Sequence, residues 1–272
     1  DTVIYRNNGG AGFSVVTNTG LTGVLMRAVA CADYDQDGRP DILMLGTDNT
    51  LNVARLYRNL GGFSFSNQNV NLPLVSEGSV GWGDYDNDGD LDILIAGSIG
   101  ANGETHVYRN DGGNSFSDIN ASLPGVRGGK AIWGDYDNDG DLDILVMGIS
   151  GPDFINKIFR NDGGGFSDSG IVLPGTYQAS VSWGDYDNDG DLDFAFCGYT
   201  PAYGVVTKVF RNLGAMPDAL PGAPAGLSAV TNGNAITLSW LAPSDANQTN
   251  GLTYNVRVGD RKSTRLNSSH RT

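Results

Sequence analysis

WGDYDNDGDLDILIAG, residues 82–97, places five aspartates within nine positions and then runs directly into an apolar segment. Related stretches are CADYDQDGRPDILMLG at residues 31–46, WGDYDNDGDLDILVMG at 133–148 and WGDYDNDGDLDFAFCG at 183–198. Their first aspartates, Asp33, Asp84, Asp135 and Asp185, are 51, 51 and 50 residues apart. Four copies at this spacing indicate an internal repeat of about 50 residues. We name the copies aspartate loops one to four and count positions from the first aspartate of each.

One repeat predicts four short β-strands. In the second copy, SVGWGDY precedes the aspartates, LDILIAG follows them, and THVYRND and FSDINASL come after turn residues. Turn residues between β-branched and aromatic runs favour strands. The continuous apolar character of LDILIAG indicates burial on both faces of a sheet. Four strands in about 50 residues predict an all-β fold, a partial β-propeller of about four four-stranded blades.

Composition excludes several classes of partner. The formal net charge is -14, and of 31 acidic residues only Glu77 and Glu104 are glutamates. Aspartate favours turns, which places this charge in loops. Such a polyanion repels nucleic acid and anionic lipid, so cations are the expected partners. No run of 18 apolar residues is present, and we expect no membrane insertion.

The loop spacing predicts calcium sites. In loop two, carboxylates stand at positions 1, 3, 5 and 9, Gly89 at position 6 permits a sharp turn, and position 7 can offer its backbone carbonyl. Alternate side chains then form an oxygen cage of the kind that Ca²⁺ prefers. We expect about four Ca²⁺ sites, one per blade. The candidate ligands are Asp33, Asp35, Asp37, Arg39 (through its carbonyl) and Asp41; Asp84, Asp86, Asp88, Asp90 and Asp92; Asp135, Asp137, Asp139, Asp141 and Asp143; and Asp185, Asp187, Asp189, Asp191 and Asp193.

An EF-hand does not fit these loops. That motif needs a glutamate at position 12 and flanking helices. Position 12 here is apolar in every copy (Met44, Ile95, Val146 and Phe196), and the flanks read as strands. The aspartate at position 9 must therefore close the cage. Loop one, with Gln36, Arg39 and Pro40, is the weakest copy.

A second motif, [YF]RN, recurs with asparagines at Asn7, Asn59, Asn110, Asn161 and Asn212. DYDNDGDLDIL followed by VYRNDGG resembles the FG-GAP or VCBS-type repeats of bacterial secreted and surface proteins, relatives of the integrin α-chain propeller. The resemblance covers residues 3 to about 214. It implies a calcium-stiffened propeller, usually seven-bladed, with one Ca²⁺ in the hairpin between the first two strands of a blade. This chain has four such loops, so we expect a fragment of a larger ring.

The chain divides by composition into four segments. Residues 1–214 carry the calcium-binding propeller repeats, beginning with the last two strands of an earlier blade, and residues 215–224 read as a Pro/Gly linker. Residues 225–259 resemble the first strands of a fibronectin type III domain, with Trp240 and Tyr254 at core aromatic positions. Residues 260–272 look like a translated adapter sequence, and we leave them out of fold reasoning.

Catalytic motifs are not evident. The sequence has no GxSxG, HExxH or CxxC, and His106 precedes VYRN in a strand, where an exposed or packed role is expected. Recurring arginines in [YF]RN predict a structural contact to a loop carboxylate or a turn carbonyl, and the repeated tyrosines and tryptophans predict packing between blades. Cys31 and Cys197 read as small core residues.

Three functions remain open. We favour a non-catalytic, calcium-binding propeller of a secreted or cell-surface bacterial protein that mediates adhesion or binds a carbohydrate or protein ligand. The alternatives are a scaffold domain of an extracellular polysaccharide-degrading enzyme, lyase-like and with its catalytic residues elsewhere, and a purely structural spacer. Loops that differ between copies, such as residues 149–156 and 199–205, are where a ligand site would lie.

Overall fold

The fold is all-β, as the repeat predicts. The structure, a computed structural model, describes residues 2–48, 51–163, 165–214, 225–232 and 235–241. Over these residues the chain forms nineteen strands and one short 3-10 helix, Gly9–Ala11. It begins with an antiparallel hairpin of β1 (Ile4–Asn7) and β2 (Phe13–Val16), which agrees with the two strands expected there.

Four antiparallel sheets follow, one for each aspartate loop, and in each the strand order follows the chain. Blade one contains β3 (Leu25–Ala32), β4 (Asp41–Thr47), β5 (Asn52–Gly61) and β6 (Ser64–Asn67); blade two β7 (Ser76–Gly83), β8 (Asp92–Ile99), β9 (Asn102–Asn110) and β10 (Phe116–Asp118); blade three β11 (Arg127–Gly134), β12 (Asp143–Ser150), β13 (Asp153–Asn161) and β14 (Phe166–Asp168); blade four β15 (Tyr177–Gly184), β16 (Asp193–Thr200) and β17 (Gly204–Phe210). The four-strand prediction is confirmed for blades one to three.

The second strand of blade two is buried on both faces. Ile93 and Ile95 of β8 belong to an apolar cluster that includes Leu43 of blade one. Leu94 and Ala96, on the other face of β8, belong to a cluster shared with blade three. Burying such a side chain contributes about 1.5–3 kcal/mol. The continuous apolar run in the sequence therefore marks a strand packed between two blades, as predicted.

Aromatic pairs join successive blades beside the aspartate loops. Tyr34, at position 2 of loop one, stacks on Trp82 of β7 with ring centroids 5.7 Å apart and planes 8° apart. Tyr85 stacks on Trp133 of β11 at 6.4 Å and 7°. Stacked pairs of this kind add to the stabilisation from burial. The predicted packing role of the repeated aromatics is confirmed for these pairs, which fix loops one and two against the next blade.

Blade four is covered on one face only among the described residues. Phe194 and Phe196 of β16 are buried against blade three, whereas Ala195 and Cys197, on the other face, are exposed. The prediction that both cysteines are core residues is wrong. Cys31 is also exposed, because it lies on the face of β3 opposite the one that packs on blade two.

The described part of the chain divides into two units, one that contains the four blades and one that contains residues 225–232 and 235–241. The second contains an antiparallel hairpin of β18 (Ala225–Asn232) and β19 (Ala235–Leu241). The fibronectin type III assignment stays a prediction, and the linker and tail predicted at residues 215–224 and 260–272 lie outside the described residues. In the part of the chain that the structure describes, no helix has the length and apolar character needed to cross a membrane.

Candidate metal centres in the aspartate loops

Each aspartate loop connects the first and second strands of its blade. The residue at position 4 has a left-handed backbone in every loop: Gln36 (φ 56°), Asn87 (56°), Asn138 (58°) and Asn188 (61°). Position 6 is a glycine with φ between 85° and 99° in all four copies. Asparagine and glycine tolerate this conformation best. The NDG of the motif therefore sets the turn that brings the aspartates to one side.

The aspartate at position 1 closes the turn with both of its oxygens. In loop two the backbone N–H groups of Asp88 and Gly89 donate to Oδ1 and Oδ2 of Asp84, each at 3.1 Å. Loops one and four contain the same pair of bonds. Burial raises the pKa of Asp84 and of Asp86, and neighbouring carboxylates raise both further.

Carboxylates converge in all four loops. In loops two, three and four the converging residues are at positions 1, 3 and 9, and one ligand oxygen from each lies within 4.8 Å of the other two: Asp84, Asp86 and Asp92; Asp135, Asp137 and Asp143; Asp185, Asp187 and Asp193. In loop one the set is Asp33, Asp35 and Asp37, at positions 1, 3 and 5. Oxygens that share one Ca²⁺ at about 2.4 Å are at most about 4.8 Å apart, so each triad fits around one ion.

Position 5 is not in the converging set of loops two to four. Its carboxylate instead supports the turn: the N–H of Asp90 donates to Asp88 at 2.9 Å, and that of Asp191 to Asp189 at 3.1 Å. The second oxygen of Asp88 is on an exposed side chain. The residues at positions 1, 3 and 9 therefore form the core of the candidate sites in loops two to four, and the ligand roles of positions 5 and 7 there stay predictions.

The aspartate at position 9 is the most buried member of the triad. Asp92 is fully buried, and its two oxygens accept the backbone N–H groups of Tyr85 at 3.1 Å and Asn110 at 2.8 Å. Loops one, three and four repeat both bonds. Burial raises the pKa of Asp41 to about 6, of Asp92 to about 7 and of Asp143 to about 8, although the N–H donors lower it. This carboxylate thus connects its loop to the end of the third strand.

The side chain at position 7 contacts the preceding loop, a role that the sequence reasoning missed. The amide of Gln36 in loop one donates to Asp90 of loop two at 2.8 Å, and that of Asn87 in loop two donates to Asp141 of loop three at 2.7 Å. The contact could have been predicted from the sequence, because most copies have both an amide side chain at position 4 and an aspartate at position 7. Loop one is therefore hydrogen-bonded to loop two, and loop two to loop three.

The [YF]RN arginines of blades one and four contact carboxylates of their aspartate loops, as predicted. Arg58 pairs with Asp35 at 2.5 Å and Asp37 at 3.1 Å, and Arg211 makes the equivalent contacts with Asp187 and Asp189 at 2.5 Å and 2.9 Å. Arg160 approaches Asp137 at 3.9 Å and Arg109 pairs with Asp111. These cations reduce the repulsion within a loop but leave a surplus of negative charge.

The asparagine of [YF]RN joins neighbouring blades, which the sequence reasoning also missed. Asn161 is buried, and its amide donates to the carbonyl oxygens of Tyr85 in blade two at 2.7 Å and of Leu142 in its own blade at 3.3 Å. Asn110 and Asn212 make the corresponding bond to Tyr34 and Tyr136 of the preceding loop. The motif therefore positions each loop against the next blade.

His106 is the single-copy ionisable residue that sequence analysis singled out. Its ring is partly buried, with Nδ1 2.8 Å from a carboxylate oxygen of Asp118 and Nε2 3.1 Å from one of Glu104. Both ring nitrogens are occupied by side chains of the same blade. This is a packed role, one of the two that the sequence led us to expect.

Comparison with known proteins identifies the repeat. The family model described as FG-GAP-like repeat matches residues 33–95, 84–146 and 135–196, which together span more than half of the chain. Each match runs from the first aspartate of one loop to the second strand of the next blade. No curated protein is significantly similar to the chain. The shared sequence pattern, the four-stranded sheets and the aspartate loops agree, and the chain belongs to the FG-GAP-like repeat family.

Proposed function

We propose that the aspartate loops bind Ca²⁺, with the carboxylates at positions 1, 3 and 9 of loops two, three and four at the core of each site. The observation that carries this proposal is the convergence of three carboxylate oxygens within 4.8 Å in each loop. Carboxylates about 4 Å apart repel by about 1 kcal/mol per pair even in water. A hard divalent cation with oxygen ligands removes that repulsion, and Ca²⁺ accepts such flexible carboxylate cages more readily than Mg²⁺ does.

Calorimetric titration of the calcium-stripped chain tests this proposal. We expect heat of binding with Ca²⁺ and one fewer ion bound after Asp86→Ala, because Asp86 belongs to the converging triad of loop two. Asp153→Ala, which removes an exposed carboxylate outside the loops, is the matched control and should leave the number of ions unchanged. A chain that takes up no calcium at millimolar concentration would contradict the proposal.

The biological setting that fits these sites is outside the cell. Calcium modules that work there bind with Kd of about 10⁻⁴–10⁻³ M, so a loop of this kind is filled where calcium is millimolar. We therefore propose a non-catalytic propeller region of a secreted or cell-surface protein, in which calcium holds the loops rigid. The engaged ring of His106 supports a non-catalytic role, since a general base needs a nitrogen within reach of its substrate.

A carbohydrate or protein ligand is proposed for the turn between β16 and β17. Tyr199, Tyr203 and Val205 are 39%, 69% and 86% exposed there, in a segment that differs between blades. Exposed aromatic and apolar side chains in one place are typical of a contact surface. Binding to arrays of immobilised glycans and extracellular matrix proteins tests this: Tyr203→Ser should weaken capture, and Tyr5→Ser, at an exposed tyrosine of β1, should not. A chain that captures nothing would favour the spacer alternative.

A further inference from the structure

Loop one differs from the other three in charge. Residues 33–41 contain four aspartates, whereas loops two, three and four contain five each, because position 7 is Arg39 in loop one and aspartate elsewhere. With one [YF]RN arginine counted per blade, loop one carries a net charge of −2 and each of the others −4. Calcium affinity rises with the number of charged ligands, so loop one attracts the ion least.

The guanidinium of Arg39 is part of loop one. Its Nη2 pairs with Asp37 Oδ2, and its Nε donates to the carbonyl oxygen of Asn59, at the end of β5, at 2.8 Å. Asp37 Oδ2 also accepts a hydrogen bond from Arg58 at 3.1 Å. Asp37 Oδ1 accepts the backbone N–H of Arg39, also at 3.1 Å. Both oxygens of this carboxylate are therefore used, and two cationic groups lie beside it.

These contacts change which carboxylates converge. Asp37 replaces the buried Asp41 in the converging set of loop one, and Arg58 contacts both Asp35 and Asp37. Asp35 therefore has a guanidinium at one of its oxygens, and Asp37 has two guanidinium groups at Oδ2. In loop four Arg211 also reaches the loop, but position 7 there is Asp191 and brings no second cation.

We propose that Arg39 takes the place of calcium in loop one, so that the chain binds three calcium ions, in loops two, three and four. The inference rests on the calcium function proposed above. The arginine neutralises Asp37, as an ion would, and adds a second contact between the loop and the end of β5 to the one that Asp41 makes. Loop one is then rigid at any calcium concentration, whereas the other three loops depend on the ion.

Counting bound ions on the full chain tests the proposal. We expect three calcium ions per wild-type chain by equilibrium dialysis, and four after Arg39→Asp, which gives loop one the position 7 residue of the other loops. Arg127→Asp makes the same change in net charge at an exposed position of β11 and should leave three. The reverse change, Asp90→Arg, places a guanidinium in loop two and should leave two ions. Far-ultraviolet circular dichroism checks that each variant keeps its sheets.

The outcomes separate the two proposals. Four ions on the wild-type chain would overturn the role of Arg39 and leave the calcium function standing, whereas no bound ion at all would remove both. Three ions on Arg39→Asp, or three on Asp90→Arg, would show that a guanidinium at position 7 does not exclude calcium. The Asp90→Arg result is decisive even where Arg39→Asp fails to fold.

Discussion

At the scale of single residues, the aspartate at position 9 has a structural role that does not depend on a metal. Asp92 accepts two backbone N–H groups in a fully buried position. Removal of this acceptor leaves both N–H groups without partners, at about 1–3 kcal/mol each. We therefore expect Asp92→Ala to lower the free energy of unfolding by about 2–6 kcal/mol in chelator. The measurement is made at pH 6, where the cost of burying a charged Asp92 carboxylate contributes little to the difference.

The control is Asp88→Ala in the same loop. Asp88 is exposed and accepts one N–H group, so its loss should cost less than about 1 kcal/mol in chelator. Urea denaturation followed by tryptophan fluorescence measures both variants. Equal losses for the two would contradict a structural role for position 9.

The raised pKa values of position 9 predict an unusual pH dependence without calcium. Burial raises the pKa of Asp92 from an ordinary 3.8 to about 7, and that of Asp143 to about 8. Between about pH 4 and pH 8 the folded chain then binds more protons than the unfolded chain, so its stability falls as pH rises. In chelator, the urea midpoint should be higher at pH 5.5 than at pH 8.

Saturating calcium should reverse that slope, because the ion favours the ionised carboxylates and protons compete with it. His106 lies between two carboxylates, so the His106→Gln variant is the control and should keep the slope. If the urea midpoint in chelator instead rises toward pH 8, these aspartates do not dominate the pH dependence of stability.

At the scale of elements, the [YF]RN asparagine holds one blade against the next. Asn161 donates to Tyr85 of the preceding loop, whereas the amide of Asn59, the same position in blade one, donates to Pro40 of its own loop. Both side chains also accept the N–H of a turn glycine. Asn161→Ala should therefore cost about 1–3 kcal/mol more than Asn59→Ala. Chemical denaturation in saturating calcium measures the difference, and equal costs would argue against an interblade role.

At the scale of the whole molecule, calcium should determine how stable the propeller region is. A site filled at about 100 times its Kd contributes roughly 2.7 kcal/mol, and one filled near its Kd about 0.4. Three sites thus contribute from about 1 to about 8 kcal/mol, against about 5–15 for an ordinary domain. We expect excess chelator to lower the Tm, and magnesium to restore less of it than calcium because it requires a smaller, octahedral site.

Calorimetric melting curves in chelator, millimolar calcium and millimolar magnesium test this dependence. The Asp86→Ala variant provides the control within the molecule, since it should lose about a third of the shift that calcium produces. A melting curve that is the same in chelator and in calcium would mean that the sites do not support the fold.

The sequence by itself determined the repeat, the all-β class and the turn of each aspartate loop. These features are local: the turn needs a left-handed backbone at positions 4 and 6, which asparagine and glycine tolerate best, and a strand buried on both faces needs the apolar run that follows Asp92. The contact of Arg58 with its own loop was also within reach, because the two motifs recur together. The spacing of residues along the chain is enough to predict such local structure within one repeat.

Only the tertiary structure decided what the repeat does between blades. The bond from Asn161 to Tyr85 joins residues 76 positions apart, and that from Asn87 to Asp141 joins residues 54 apart. Whether Cys197 is buried depends on whether another sheet packs on its face of β16. Which aspartates converge also differs between loops, because loop one brings positions 1, 3 and 5 together and the other three bring positions 1, 3 and 9 together. These features depend on which distant parts of the chain pack together in three dimensions. The local sequence of one repeat does not encode that packing.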